Sequence, residues 1–501
     1  MRLRSRPLVR TGLSLALILI ASTLLQAQAF DALKSRVKVH VLANGMKFIV
    51  LERHDAPVVS FHVYADVGSA NESYGITGIS HILEHMAFKG TTTVGTTDYA
   101  QESKVLADID AAYEALKAEQ AKAQPDPAKV QELTKRFDEL EAKAKTFVVN
   151  NEYFDLMMRQ GDGGINAYTN SDATQYINSL PSNKLEFWMA MTSDRFLHPI
   201  FREFYKERNV IQEERRLGVE TQPMGMLVED FLAVAFKASP YHHEVVGHMS
   251  DLQAISRKDV VDYFRKFYGP SNLTAAVVGD VKPEEVFRQA DLYFGRIPSG
   301  PKPESVRTKE PGQWGERRLQ VEAMSMPMIL MGYHRPEARH KDSPALDALA
   351  NILGQGRSSR LYRSLVKDQK VAVAVQGLNG FPGQKYPNLL AFFAVPSAGH
   401  TSEECLKLID DELAKIKKDS VTPDELTKFK RGALKDIYDQ MESNGSLAAL
   451  LTQADVVLGG WPQAFDQVND IKAITAEDVK LVANTYLVRK NRTIGEIVPA
   501  R

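Results

Sequence analysis

Apolar and polar residues alternate in the first part of the chain. Val37-Lys38-Val39-His40-Val41-Leu42 and Lys47-Phe48-Ile49-Val50-Leu51 flank the turn signal Asn44-Gly45, so the pattern predicts a β-hairpin over Val37 to Arg53. Val58 to Val67 reads as a further strand. The period changes between Asp98 and Val149. Leu106, Ile109, Tyr113 and Leu116 recur at helical spacing, as do Val130, Leu133, Phe137 and Leu140, with a break at Pro125-Asp126-Pro127. This predicts a helical hairpin over 98–150, a protruding antiparallel pair that is either a solvated arm or a contact for a partner or substrate. Strands that deliver helices point to an α+β layer fold.

The pattern also repeats. Asp251-Leu252-Gln253-Ala254-Ile255-Ser256-Arg257-Lys258-Asp259-Val260 returns as Asp470-Ile471-Lys472-Ala473-Ile474-Thr475-Ala476-Glu477-Asp478-Val479. Both copies place Asp three residues after Ser or Thr, a helix-start signature, and both lead through a helix into a strand, near Asn272 and near Asn491. The chain therefore reads as two similar α+β halves, 30–300 and 316–501, with a Pro/Gly-rich linker at 301–315. Ahead of them, Arg2, Arg4, Arg6 and Arg10 precede an apolar run from Leu13 to Leu25 and then Ala27-Gln28-Ala29. This predicts a signal peptide over 1–29 and a periplasmic protein with no stable membrane span after cleavage. A mitochondrial presequence would be amphipathic rather than continuously apolar.

Composition narrows the function. The formal charge of -1 over 501 residues leaves no nucleic-acid footprint. Cys405 is the only cysteine, which excludes an internal disulfide and disfavours a thiol protease or a cysteine-built metal site.

The chemistry concentrates in His81-Ile82-Leu83-Glu84-His85. Histidines four apart on a helix share a face, so both imidazoles can reach one ion, with Zn²⁺ the usual choice. Glu84 lies beside them as a general base for a water activated there. On the pentapeptide alone, a histidine pair on a surface helix is an equal reading. A second cluster, His242, His243 and His248, reads as mainly structural, because adjacent histidines point to different sides.

Together with Gly75-Ile76-Thr77-Gly78-Ile79-Ser80 before it and Ala87-Phe88-Lys89-Gly90-Thr91 after it, the H-x-x-E-H string resembles the pitrilysin/insulinase family of zinc peptidases, the inverzincins, which include mitochondrial processing peptidase. The resemblance implies two halves facing each other around a chamber that admits peptides or unfolded segments. Glu207-Arg208-Asn209-Val210-Ile211-Gln212-Glu213-Glu214 matches the family's E-R-x-V-x-x-x-E, which makes Glu214 the third ligand of one Zn²⁺ per chain and places Glu207 behind a ligand histidine. Gly163-Gly164-Ile165-Asn166-Ala167-Tyr168-Thr169 matches an edge strand that pairs with extended substrate, through Asn166 and Ala167, and against the family pattern the helical hairpin over 98–150 is an insertion ahead of it. Many bacterial relatives carry Arg and Tyr after the string that here reads Gly354 to Leu361; those positions hold Val366 and Val373. The departure implies a metal-bearing subunit that works with a homologous Arg/Tyr-bearing partner, or as a homodimer; the other reading is that another donor in the same half takes over. The expected activity is zinc endopeptidase; the other reading is a non-catalytic binding or assembly subunit.

Overall fold

The computed structural model describes residues 30 and 32–500. The signal-peptide segment 1–29 lies outside the described residues. Strands β1 (Val37–Val41), β2 (Lys47–Glu52), β3 (Val58–Ala65), β4 (Asn166–Thr169), β5 (Thr174–Pro181) and β6 (Leu273–Gly279) form one sheet in the order β1-β2-β6-β3-β5-β4. Strands β7 (Arg317–Ala323), β8 (Met328–Arg335), β9 (Ala372–Phe381), β10 (Asn388–Pro396) and β11 (Arg492–Pro499) form a second, ordered β7-β11-β8-β10-β9. The two orders superpose term by term once β1 is set aside. In each, the first pair is parallel (β2 with β6, β7 with β11) and the remaining pairs are antiparallel. The chain is a duplicated α+β protein. The β1–β2 turn is held by Asn44, whose amide donates to the carbonyls of Phe294 and Ile297 at 2.8 and 3.0 Å.

Helices α1 (Ile79–Met86), α2 (Tyr99–Gln120), α3 (Pro127–Lys145), α4 (Glu152–Arg159), α5 (Leu185–Leu197), α6 (Phe204–Arg215), α7 (Pro223–Ala235), α8 (Met249–Ala254), α9 (Arg257–Phe267) and α10 (Pro283–Tyr293) lie in the first half of the chain. Helices α11 (Ser343–Gly354), α12 (Ser402–Asp419), α13 (Pro423–Glu442), α14 (Asn444–Val457), α15 (Gln463–Ala473) and α16 (Ala476–Tyr486) lie in the second. The repeated Ser/Thr…Asp signature closes a capping box in both copies. Ser256 Oγ accepts from the Asp259 N–H and Thr475 Oγ1 from the Asp478 N–H, and each aspartate takes the cap's own N–H at 2.8 Å.

Each half covers the other's sheet. Leu447, Ala448 and Leu451 of α14 pack on Ile49, Ala276 and Val278 of the first sheet. Leu227 and Phe231 of α7 pack on Leu330, Leu389 and Ile497 of the second. Close approach of α7 needs small residues beneath it: a Cβ on Gly332 or Gly495 would sit 3.0 Å from Phe231 or Leu227. Burying both faces of each sheet in this way makes the halves mutually dependent.

The helical hairpin is not a free arm, which corrects the protruding pair that the sequence pattern predicts. Leu106, Ile109, Tyr113, Phe137 and Leu140 are buried in the same core as α1 and α6. Tyr205 of α6 sits between the Tyr113 and Phe137 rings, at 4.6 and 4.9 Å. Beneath them lies a buried ion pair: Arg202 donates to both carboxylate oxygens of Glu102 at 2.8 and 3.1 Å. The same guanidinium also donates to the carbonyls of Thr91 (2.7 Å), Val94 (2.9 Å) and Lys89, the loop that follows α1. The hairpin supplies the counter-charge that lets Arg202 organise this loop out of water. Removing one partner of a buried pair leaves an uncompensated charge. Glu102→Ala should therefore lower stability by about 3–5 kcal/mol, measured as a fall in urea midpoint. Glu132→Ala, on the exposed side of the hairpin, should change it by no more than about 0.5 kcal/mol.

Candidate active site

Helix α1 carries both motif histidines and lies against α6. His81 is at the third position of the eight-residue helix and His85 one turn on, their ring centroids 5.0 Å apart and their planes nearly perpendicular. Glu214, from the last turn of α6, brings Oε2 to 3.6 Å from His81 Nε2 and 3.8 Å from His85 Nε2. One ligand atom from each of the three residues lies within 4.8 Å of the other two. Two imidazole nitrogens and a carboxylate oxygen suit Zn²⁺, with room for a fourth, open position. Glu213 instead pairs with Arg216 in solvent, as expected from its place a third of a turn away.

Glu207 lies one stripe back on α6, 3.6 Å from His85 Nδ1. Its other oxygen accepts from Lys89 Nζ at 2.5 Å, and Lys89 also reaches Glu203 at 3.1 Å. The chain His85–Glu207–Lys89–Glu203 thus ties α1 to α6 by alternating charge. Burial works against ionisation of Glu207, but His85 and Lys89 outweigh it and hold its carboxyl down at about 2. For His85 burial favours the neutral ring; the carboxylates of Glu207, Glu214 and Glu84 win, and its pKa is raised. His81 is more deeply buried and faces His85, so its pKa falls to about 4. Burial raises the pKa of Glu84, opposed by a hydrogen bond from Thr169 and by His85.

Asn166 and Ala167 open β4, the outermost strand of its sheet, paired on one side only with β5. The Ala167 N–H donates to Asn166 Oδ1 at 2.9 Å. Gly163 to Ile165 precede the strand. The second histidine cluster does not converge. His242 contacts the Ser239 carbonyl, His243 the Glu244 carbonyl, and burial lowers the His243 pKa to about 4. In the second half, Val366 packs beside the core and Val373 lies 57% exposed on β9.

Sequence reasoning missed the groups that set the start of α1. Gly78, at φ +90°, cannot cap the helix with a side chain. The half-buried Glu72 carboxylate does so instead, accepting from Gly78 N–H and Ser80 N–H at 2.8 Å each. Burial raises its pKa to about 8 against those donors. Asp251, in the first copy of the repeat, accepts from Gly75 N–H, Thr77 N–H and Thr77 Oγ1 at 2.9, 3.1 and 2.8 Å. The signal was present: an acidic residue a few positions ahead of a helix that starts on glycine, and an aspartate in the repeat.

Comparison with known proteins agrees with this fold. Residues 48–122 match the insulinase (peptidase family M16) model, and residues 254–432 match the peptidase M16 inactive domain. The chain is 28% identical to zinc protease PqqE of Helicobacter pylori over 95% of both proteins. A protease structure from Helicobacter pylori covers 92% of this chain and 99% of its own, with TM-score 0.77 and 25% identity. The periplasmic protease PqqL of Escherichia coli matches in fold over 92% of this chain but 47% of its own, with TM-score 0.68 and 17% identity, so it has about twice the length. The chain belongs to the peptidase M16 family, the insulinase and pitrilysin relatives.

Glu72→Ala removes the acceptor of two buried N–H groups one turn from His81. It should weaken zinc binding about 10–100-fold, as loss of a group that orients metal ligands does, read by competition with a chelator.

Proposed function

We propose that the chain is a zinc-dependent endopeptidase that cuts peptides or unfolded segments in an exported compartment, the periplasm. The observation that carries this reading is the convergence of His81 Nε2, His85 Nε2 and Glu214 Oε2 beside Glu84 and an open strand edge. The donor set fits one Zn²⁺ per chain, held by His81, His85 and Glu214. Bound there, the ion supplies Lewis acidity at neutral pH.

The residues divide the remaining work. Glu207 faces His85 Nδ1 at ion-pair distance and favours the ring orientation in which Nε2 faces Glu214. Glu84 takes a proton from the attacking water and returns it to the leaving amine. Its raised pKa suits a group that must hold that proton between the two steps. Substrate backbone adds to β4 as an extra strand, taking over the Ala167 N–H from Asn166.

Negative charge that develops on the substrate carbonyl oxygen needs donors besides the metal. Val366 and Val373 can supply none. The chain therefore acts as the metal-bearing member of a pair whose partner is a homologous subunit with Arg and Tyr; a second copy in a homodimer would bring the same two valines. The doubled length of PqqL, which matches this chain in fold, supports the pairing.

Two measurements test this reading. The zinc-loaded chain should cleave a mixed peptide library slowly alone and faster with an Arg/Tyr-bearing homologue. Glu84→Gln should lower the paired rate about 10²–10⁴-fold while retaining zinc. Equal function in Glu84→Gln would instead favour an assembly role, and fast cleavage by the chain alone would remove the need for a partner. Protons also compete with zinc for the histidines. His85, with its raised pKa, must lose a proton to bind; His81, at about 4, is already neutral. Zinc affinity should fall by about tenfold per pH unit between roughly pH 6 and 5, a slope of one proton. A slope of two would show that both rings charge together.

A further inference from the structure

The loop that joins β9 to β10, residues 382–387, reaches from the second half onto the first. It meets Asp172, in the turn between β4 and β5. The Asp172 carboxylate is 6% exposed and accepts three hydrogen bonds: from the Gln384 N–H at 2.6 Å, the Lys385 N–H at 3.1 Å and the Tyr241 hydroxyl. Tyr241 is buried, and its oxygen accepts in turn from the Tyr386 N–H at 3.2 Å. Alongside, Lys385 Nζ pairs with Asp66, just past the end of β3. A Cβ on Gly383 would sit 2.5 Å from the Tyr241 oxygen and 2.9 Å from Asp172 Oδ1, so the approach needs glycine. The loop is tied to its own half as well, by the Ala338 N–H donating to the Gln384 carbonyl at 2.9 Å.

The turn so gripped controls β4. Asn170 Oδ1 accepts from the N–H groups of Asp172 and Ala173 at 2.8 and 2.9 Å, and the Asn170 N–H donates to the Ala173 carbonyl at 2.9 Å. These bonds make the turn rigid. The strand that enters it is four residues long and pairs with β5 alone, a marginal arrangement without support at its end. Thr169, the last residue of β4, hydrogen-bonds Glu84. A short path therefore runs from the second half through Asp172 and the turn to the strand edge and the proposed general base.

We propose that Asp172 is a positioning residue through which the second half holds β4, and with it both the substrate-pairing edge and the Thr169 contact to Glu84. The proposal rests on the peptidase reading and gives the half without a metal site a part in the reaction. The residue type follows from the partners. All three are donors, and an ionised carboxylate only accepts, so it satisfies them together. An amide at this position has one accepting oxygen, and its NH₂ would face a donor.

The test separates positioning from general adhesion between the halves, for which the apolar contacts of α14 serve as the reference. In zinc-loaded Glu84→Gln protein, Asp172→Asn should speed amide hydrogen exchange at Asn166–Thr169 about tenfold, with exchange in α14 unchanged. Affinity for the library peptide that wild-type protein cleaves best should fall about tenfold, with zinc affinity unchanged. Gly383→Ala pushes on the same contact from the other half and should give the same pattern. The two changes together should do little more than either alone, as expected of one shared contact. Unchanged exchange in β4 overturns the proposal, as does an equal rise in β4 and α14. Failure of the peptidase reading shows separately, as wild-type protein that takes up zinc and cleaves nothing in the library; the exchange comparison then still decides whether Asp172 holds the strand.

Discussion

The contact between α1 and α6 is the constraint on which the site depends. These helices are far apart in sequence, and each brings an incomplete donor set. Their alignment rests on apolar packing beneath and on the alternating charges of His85, Glu207, Lys89 and Glu203 above. A carboxylate so placed is stabilised as an anion and raises the basicity of the imidazole beside it, which is the condition a neutral nitrogen ligand needs to bind a cation strongly. The same chain of charge fixes the rotation of α6, and so decides that Glu214 rather than Glu213 faces the histidines.

Around that contact lies a set of buried and half-buried polar anchors. Glu72 and Asp251 hold the approach to α1, and Arg202 holds its exit. Arg202 is tolerable in the interior only because Glu102 comes in from the hairpin. The insertion is therefore part of the support of the site as well as an addition to its surface. A helix of eight residues is marginal by itself, and its position is imposed by these neighbours.

Duplication explains why the molecule has two matching sheets and only one H-x-x-E-H motif. The pairing order of the strands and the capping boxes of α9 and α16 are the same in both halves. The helix that would correspond to α1, α11, is lined with Ala and Leu and serves packing. Exchange of α7 and α14 across the halves buries the outer face of each sheet, so the second half contributes to the stability of the first whatever it adds to the chemistry.

Local patterns in the sequence were sufficient for the elements that local physics controls. The β1–β2 turn, the interruption of the hairpin at Pro125–Pro127, the paired Ser/Thr…Asp helix starts and the i,i+4 histidines all express interactions between residues a few positions apart. The E-R-x-V-x-x-x-E string drew attention to Glu214 by resemblance; that Glu214 stands 3.6 Å from His81 is a fact of tertiary packing alone. The docking of the hairpin was hidden for a related reason. An amphipathic stripe shows that a helix buries one face but says nothing about what lies opposite, and here it is Tyr205. Glu72, Asp251 and Lys89 look like ordinary surface charges until the fold half-buries them against their partners. What decides their roles is which backbone N–H or charged group each one meets, and that is set by contacts between segments distant in the chain.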